Sequence, residues 1–169
     1  NNMDAFSYAD DTGNYKMSAT QINWLQATLN NIQEKDARIL VCIHAPLKSN
    51  DFAGADPEKR LNSQAQADEV IGMLIDWQKA SNYGLVLPVI AGHTHVNGYI
   101  QSVTANGILD HITLDAVTTS NGSYPSGQEN LASRGTNDFY MSYGRFHFNE
   151  SSKVLTVNGV GRQYSYSID

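Results

Sequence analysis

The order of elements predicts an α/β chain: helix, strand, helix, strand, then antiparallel hairpins. Three observations carry that reading. Two unbroken apolar runs, Ile39-Leu40-Val41-Cys42-Ile43 and Leu85-Val86-Leu87-Pro88-Val89-Ile90, have the character of strands covered on both faces. Each run follows a stretch whose apolar residues recur at helical spacing. Beyond residue 96 the pattern changes to β-type alternation around Ala105-Asn106-Gly107, and Asn-Gly between alternating segments is a strong hairpin signal.

Residues 1–17 read as an irregular lead-in, with Asp10-Asp11-Thr12-Gly13-Asn14 as a turn cluster. Ser18 and Gln21 then form a capping-box pattern that opens the first helix. Ile22, Leu25, Leu29 and Ile32 make its apolar stripe, and Trp24 is expected to pack at its edge. Residues 38–44 form the first buried strand. A polar loop over 45–61 leaves the carboxyl end of that strand. A second helix runs over about 63–82, with Val70, Ile71, Leu74 and Trp77 on its inner side and Gly84 as its stop. The second buried strand spans 85–91. Residues 97–104 and 108–118 form one hairpin, and 143–149 with 153–159 form another around Glu150-Ser151-Ser152. Residues 119–142, rich in Ser, Asn, Gly and Tyr, read as a long loop; such loops are more often functional or disordered than idle. The whole is one α/β unit completed by a mostly antiparallel sheet.

At 169 residues the chain is long enough for one core of ordinary size. An apolar content of 41% and a charged content of 17% fit a globular domain. No apolar run approaches the length needed to cross a bilayer. The net charge of −6 argues against binding duplex nucleic acid through its backbone, which needs clustered Lys and Arg. It does not argue against a phosphate substrate, because bound metal ions supply local positive charge. The single cysteine, Cys42, excludes an internal disulfide and reads as a buried core thiol. The abundance of Asn, Ser, Thr, Gly and Tyr leans toward an extracytoplasmic bacterial protein.

Both apolar strands end in histidine. Ile43-His44-Ala45-Pro46 closes the first, and Ala91-Gly92-His93-Thr94-His95 closes the second. Open α/β sheets bind ligands at the carboxyl ends of their strands. Neutral imidazole is a common ligand for first-row metals. Three histidines delivered to one sheet edge are therefore a metal-site pattern, with His44, His93 and His95 as candidate ligands. One metal held by both rings of the His-x-His pair, with a bend at Gly92, and two adjacent metals taking one ring each both remain open.

These motifs, with Gln21-Ile22-Asn23-Trp24-Leu25 upstream, resemble the calcineurin-like metallophosphoesterase family. The tail Gly159-Val160-Gly161-Arg162-Gln163-Tyr164-Ser165-Tyr166 looks like the ending of bacterial and phage-associated members. The resemblance covers nearly all of the chain but only the C-terminal half of the family pattern. The motifs Asp-x-His, Gly-Asp-x-x-Asp and Gly-Asn-His-Asp/Glu do not occur. The resemblance implies that residues 1–169 are a single domain, the C-terminal half of a four-layer α/β-β/α sandwich. Its mixed sheet would finish in antiparallel hairpins. It implies two metal ions, manganese, iron or zinc, with His44 and His93 sharing one and His95 on its neighbour. It implies hydrolysis of a phosphate mono- or diester by a hydroxide bridging the two ions. The substrate would be a small phosphoester, a nucleotide or a phospholipid.

Three neutral imidazoles do not balance two divalent ions, and in the family the carboxylates come from the absent motifs. This half is therefore expected to be inactive or very weak alone. Its unpaired sheet edge would favour homo-oligomers or pairing with the other half. Asp4, Asp10, Asp11, Asp51 and Asp56 read as solvated loop acids. His111 and His147 lie in alternating strands and read as structural or exposed. Arg134, Tyr124 and Tyr143 border the long loop, and Arg134 is the best candidate to touch substrate because guanidinium suits phosphate. Gly159-Val160-Gly161 lacks a following helix and reads as a bulge or turn. The competing reading is a non-catalytic metal-binding module, or a surface module whose 119–142 loop contacts a glycan on a cell-wall or phage tail protein.

Overall fold

The computed structural model describes residues 16–34, 36–48, 64–81, 84–92, 97–114, 143–160 and 164–168. Helix α1 (Ala19–Asn31) begins where the capping pattern places it. Ser18 is in extended conformation, and its hydroxyl accepts the Gln21 N–H at 3.2 Å. Ile22 and Leu29 are buried, whereas Trp24 is 66% exposed. That corrects the expectation for Trp24. It lies two residues from Ile22 and one from Leu25 of the stripe, and so projects from the solvent side of the helix. Helix α2 (Gln64–Ala80) buries Ala67, Val70, Ile71, Leu74 and Ile75. The Gln66 side chain joins the two helix starts by accepting the Met17 N–H at 2.9 Å and donating to the Met17 carbonyl at 2.8 Å. Gly84 is not a cap, since α2 ends before it. Its role is close approach: a Cβ there would stand 2.2 Å from Ser81 Oγ and 2.7 Å from the Trp77 ring.

The helices cover one face of a mixed sheet. Strand β1 (Arg38–Ile39) pairs in parallel with β2 (Leu85–Val86). Further along, Cys42 bridges Ile90 in parallel, at the middle of β3 (Val89–Ala91). Strand β3 pairs in parallel with β5 (Gly107–Thr113), and β5 pairs antiparallel with β4 (Gly98–Thr104). The second apolar run is therefore not one unbroken strand. Arg38 faces Leu85 but Cys42 faces Ile90, so one extra residue is inserted on the second run between those pairs. Pro88 sits at the insertion, and a proline has no N–H to give to a ladder. The bulge changes the phase of burial. Val86 and Val89, three apart, both face the helices, while Ile90 faces the opposite way.

The first apolar run is also corrected. Ile39, Val41 and Ile43 pack toward the helices, but Leu40 is 47% exposed and Cys42 is exposed. One face is covered and the other is not, so Cys42 is a surface thiol rather than a core one.

A second, antiparallel sheet lies against the other face. It contains β6 (Tyr143–Asn149), β7 (Val154–Val160) and β8 (Tyr166–Ile168), in that order. Leu155, Val157 and Ile168 meet Ile90 and Ile112 of the mixed sheet, with Tyr99, Phe148 and Tyr166 packed around them. Arg38 ties the sheets at one side. Its guanidinium pairs with Glu150 at 3.0 Å and lies 5.9 Å from the Phe148 ring centroid. The β6–β7 turn is held by Asn149 Oδ1, which accepts the N–H groups of Ser151 and Ser152, and Lys153 takes a left-handed φ of 60°. The chain is thus α/β, with a mixed sheet and an antiparallel sheet. No helix among the described residues is long and apolar enough to cross a membrane.

Candidate functional site

The two histidine-bearing strand ends lie side by side. Parallel pairing brings both runs to the same edge of the mixed sheet with their carboxyl ends together. At the last step of the ladder the Gly92 N–H donates to the His44 carbonyl at 3.1 Å. The next strand is tied in by Leu114, whose N–H donates to the Ala91 carbonyl at 2.8 Å. Gly98 opens β4 opposite Thr113, so the same edge collects residues 44, 92, 113 and 98.

His44 is exposed. A histidine satisfied inside the core is the competing explanation for that position, and the exposure removes it. The chain then turns in: Ala45, Pro46 and Leu47 are buried, and Lys48 Nζ donates to the Gln101 carbonyl at 3.0 Å. That segment crosses the sheet and leaves His44 at the rim. Among the described residues, no atom beyond its chain neighbours stands within 4 Å of where a Cβ on Gly92 would be, and its φ is outside the left-handed region. Gly92 therefore leaves space at the edge, and the bend that one of the two metal arrangements needs would run into His93–His95, outside the described residues.

His93 and His95 directly follow Gly92 in the chain but lie outside the described residues, as do Arg134, Tyr124, Asp4, Asp10, Asp11, Asp51 and Asp56. Among the described residues no group of three or more His, Cys, Asp or Glu side chains converges to hold a metal ion. The sequence-derived donor set contributes His44 to the described part. An exposed imidazole at an open sheet edge, hydrogen-bonded through its backbone to the start of Gly-His-x-His, fits a first-row metal ligand in type and position.

The other histidines are elsewhere. His147 is exposed on β6. His111 is 3% exposed, and its Nε2 shares a 2.9 Å hydrogen bond with Ser102 Oγ on the helix side of the sheet. Burial lowers its pKa to about 4; Lys48 adds to the effect and Asp110 opposes it. It is a neutral structural group. Tyr143 is on the surface with the Arg145 guanidinium 6.0 Å from its ring centroid. Gly159 lies within β7 opposite Gly144, so it is neither a bulge nor a turn.

One edge feature had no signal in the sequence. The Tyr164 N–H donates to Asn97 Oδ1 at 2.9 Å, which fastens the C-terminal segment just beyond the His-x-His motif. Tyr164 is 64% exposed there. The partners are 67 residues apart, and no local pattern announces such a contact.

A scan against protein-family models and a search of curated proteins return no match for this chain.

Proposed function

We propose that the protein is a metal-dependent phosphoester hydrolase of the calcineurin-like type, and that this chain supplies the C-terminal half of its four-layer sandwich. The observation that carries the reading is the hydrogen bond from Gly92 to His44, which aligns two histidine-bearing strand ends on one edge. In this proposal His44 and His93 hold one ion and His95 holds its neighbour. When bound, the pair of manganese, iron or zinc ions supplies Lewis-acid charge and an ionised water at neutral pH.

The chain's own residues have separate tasks. The three imidazoles bind as neutral donors, so protons compete with metal for them. Their second ring nitrogens need hydrogen-bond partners to hold the tautomer. Arg134 is assigned to the phosphate, where its planar fork grips two oxygens at once. Exposed Tyr164 and the space at Gly92 support a reading in which this edge receives a small phosphoester, a nucleotide or a phospholipid headgroup. Carboxylates that balance the metal charge come with the rest of the parent protein, so this chain alone is inactive or very weak.

The experiment is hydrolysis of p-nitrophenyl phosphate and bis-p-nitrophenyl phosphate by the full parent protein. We expect manganese-dependent turnover that a chelator abolishes and added metal restores. Metal-independent turnover, or none with either ester, would overturn the reading. Metal binding without turnover would favour a non-catalytic module.

A further inference from the structure

A cleft of about 720 Å³ runs between α1 and α2 on the side away from the sheet. From α2 it is lined by Asp68, Glu69, Gly72, Met73, Asp76 and Trp77. These fall as pairs four residues apart, the spacing of one continuous helical stripe. The end of α1 adds Gln26, Leu29 and Asn30, and the segment after it adds Ile32, Gln33 and Glu34. An apolar strip of Leu29, Ile32, Met73 and Trp77 therefore runs along the cleft between these amides and four exposed carboxylates, with no lysine or arginine among its described lining residues.

We propose that this cleft docks a cationic amphipathic helix of a partner protein, laid along α1 and α2 as a third helix of the outer layer. The helix would bury its apolar stripe on Ile32, Met73 and Trp77 and aim lysines or arginines at Glu34, Asp68, Glu69 and Asp76. This is the helix-in-groove mode of recognition, with charge setting partner choice. The carboxylates are dispersed along the cleft and form no cluster able to hold a metal ion. Dispersed anions match a row of cations on a polypeptide. A second copy of the chain is the poorer occupant. The chain carries a net charge of −6, α1 has no charged residue, and Lys79 is the one cation of α2. Gly72 keeps the cleft open, since no atom of the described residues outside its own helix backbone stands within 4 Å of where its Cβ would be. The inference is independent of the histidine edge.

The test is fluorescence anisotropy with a labelled helical peptide of leucine and lysine, leucines at helical spacing, against the same peptide with glutamate for lysine. Gly72→Leu fills the cleft, and leucine is the better helix former, so the fold is retained; circular dichroism checks it. We expect the lysine peptide to bind and the glutamate peptide not to bind. Gly72→Leu should weaken binding at least about tenfold through lost apolar contact. The double variant Glu69→Gln/Asp76→Asn should weaken it roughly fivefold at low salt, with the difference vanishing in about 0.5 M salt. No binding of the lysine peptide overturns the proposal. Equal affinity for wild type and Gly72→Leu also overturns it, since the peptide would then be reading surface charge alone. A dimer in sedimentation that Gly72→Leu dissociates would assign the cleft to a second copy instead.

Discussion

His111 is an imidazole with a hydroxyl for a partner and no carboxylate, and its cost appears at mild acid. Its pKa is about 4 in the folded chain against an ordinary value of 6.5. Between those values the unfolded chain binds a proton that the native state does not. Stability therefore rises with pH through that window and is lost as pH falls from 6.5 toward 4. The full loss is on the order of 3 kcal/mol. Urea midpoints at pH 7.5 and pH 4.5 check this. His111→Gln, which keeps a polar atom for Ser102, should be less stable overall but should flatten the pH dependence; an unchanged slope would show that other groups carry it. The same scale holds the limits of reading residues from sequence. A histidine in an alternating strand can be core or surface, and the alternation of 108–114 does not say which face the helices cover. His44 was legible because a strand end beside Ala-Pro opens onto an edge. Cys42 was not, because an apolar run does not reveal that one of its faces is uncovered.

At the scale of elements, local chemistry was readable and long-range pairing was not. The Ser18 cap, the α2 stripe and the Asn106-Gly107 hairpin depend on residues a few positions apart, and each forms close to where its pattern lies. Ser18→Ala should lower stability by about 1 kcal/mol through loss of the Gln21 bond, read as a shift in urea midpoint with unchanged slope. A neutral result would mean that water replaces the cap without cost. Three features escaped the sequence for a common reason. The bulge at Pro88 is defined by a partner strand nearly 50 residues away. Strand β8 is three residues long and gains its pairing from β7. The split of the β-rich half into two sheets depends on which apolar residues face each other, which periodicity leaves open.

At the scale of the whole molecule, one side of the two sheets carries exposed apolar groups among the described residues. Among the described residues, strand β1 is an edge of the mixed sheet and β6 an edge of the antiparallel one, and Arg38 with Phe148 shows that they lie on the same side. Leu40 and Cys42 are exposed there, and Phe146 is 37% exposed on β6. Apolar side chains along an unpaired strand invite pairing with another chain. Concentrated protein should therefore self-associate in sedimentation, and Leu40→Lys should shift it toward monomer with little change in thermal midpoint. Equal association of wild type and variant would place the contact elsewhere. In the functional proposal, the remaining half of the sandwich covers this side in the parent protein.

Central to the proposed function is that His44 and the histidines of the Gly92-His93-Thr94-His95 segment serve one metal-dependent site. The measurement that tests it is manganese-dependent hydrolysis of bis-p-nitrophenyl phosphate by the full parent protein carrying His44→Ala, His93→Ala or both. If the two residues act as a unit, each single variant should lose at least about a hundredfold and the double variant should lose little more. Turnover that survives His44→Ala, or losses that multiply in the double variant as for independent sites, would contradict it.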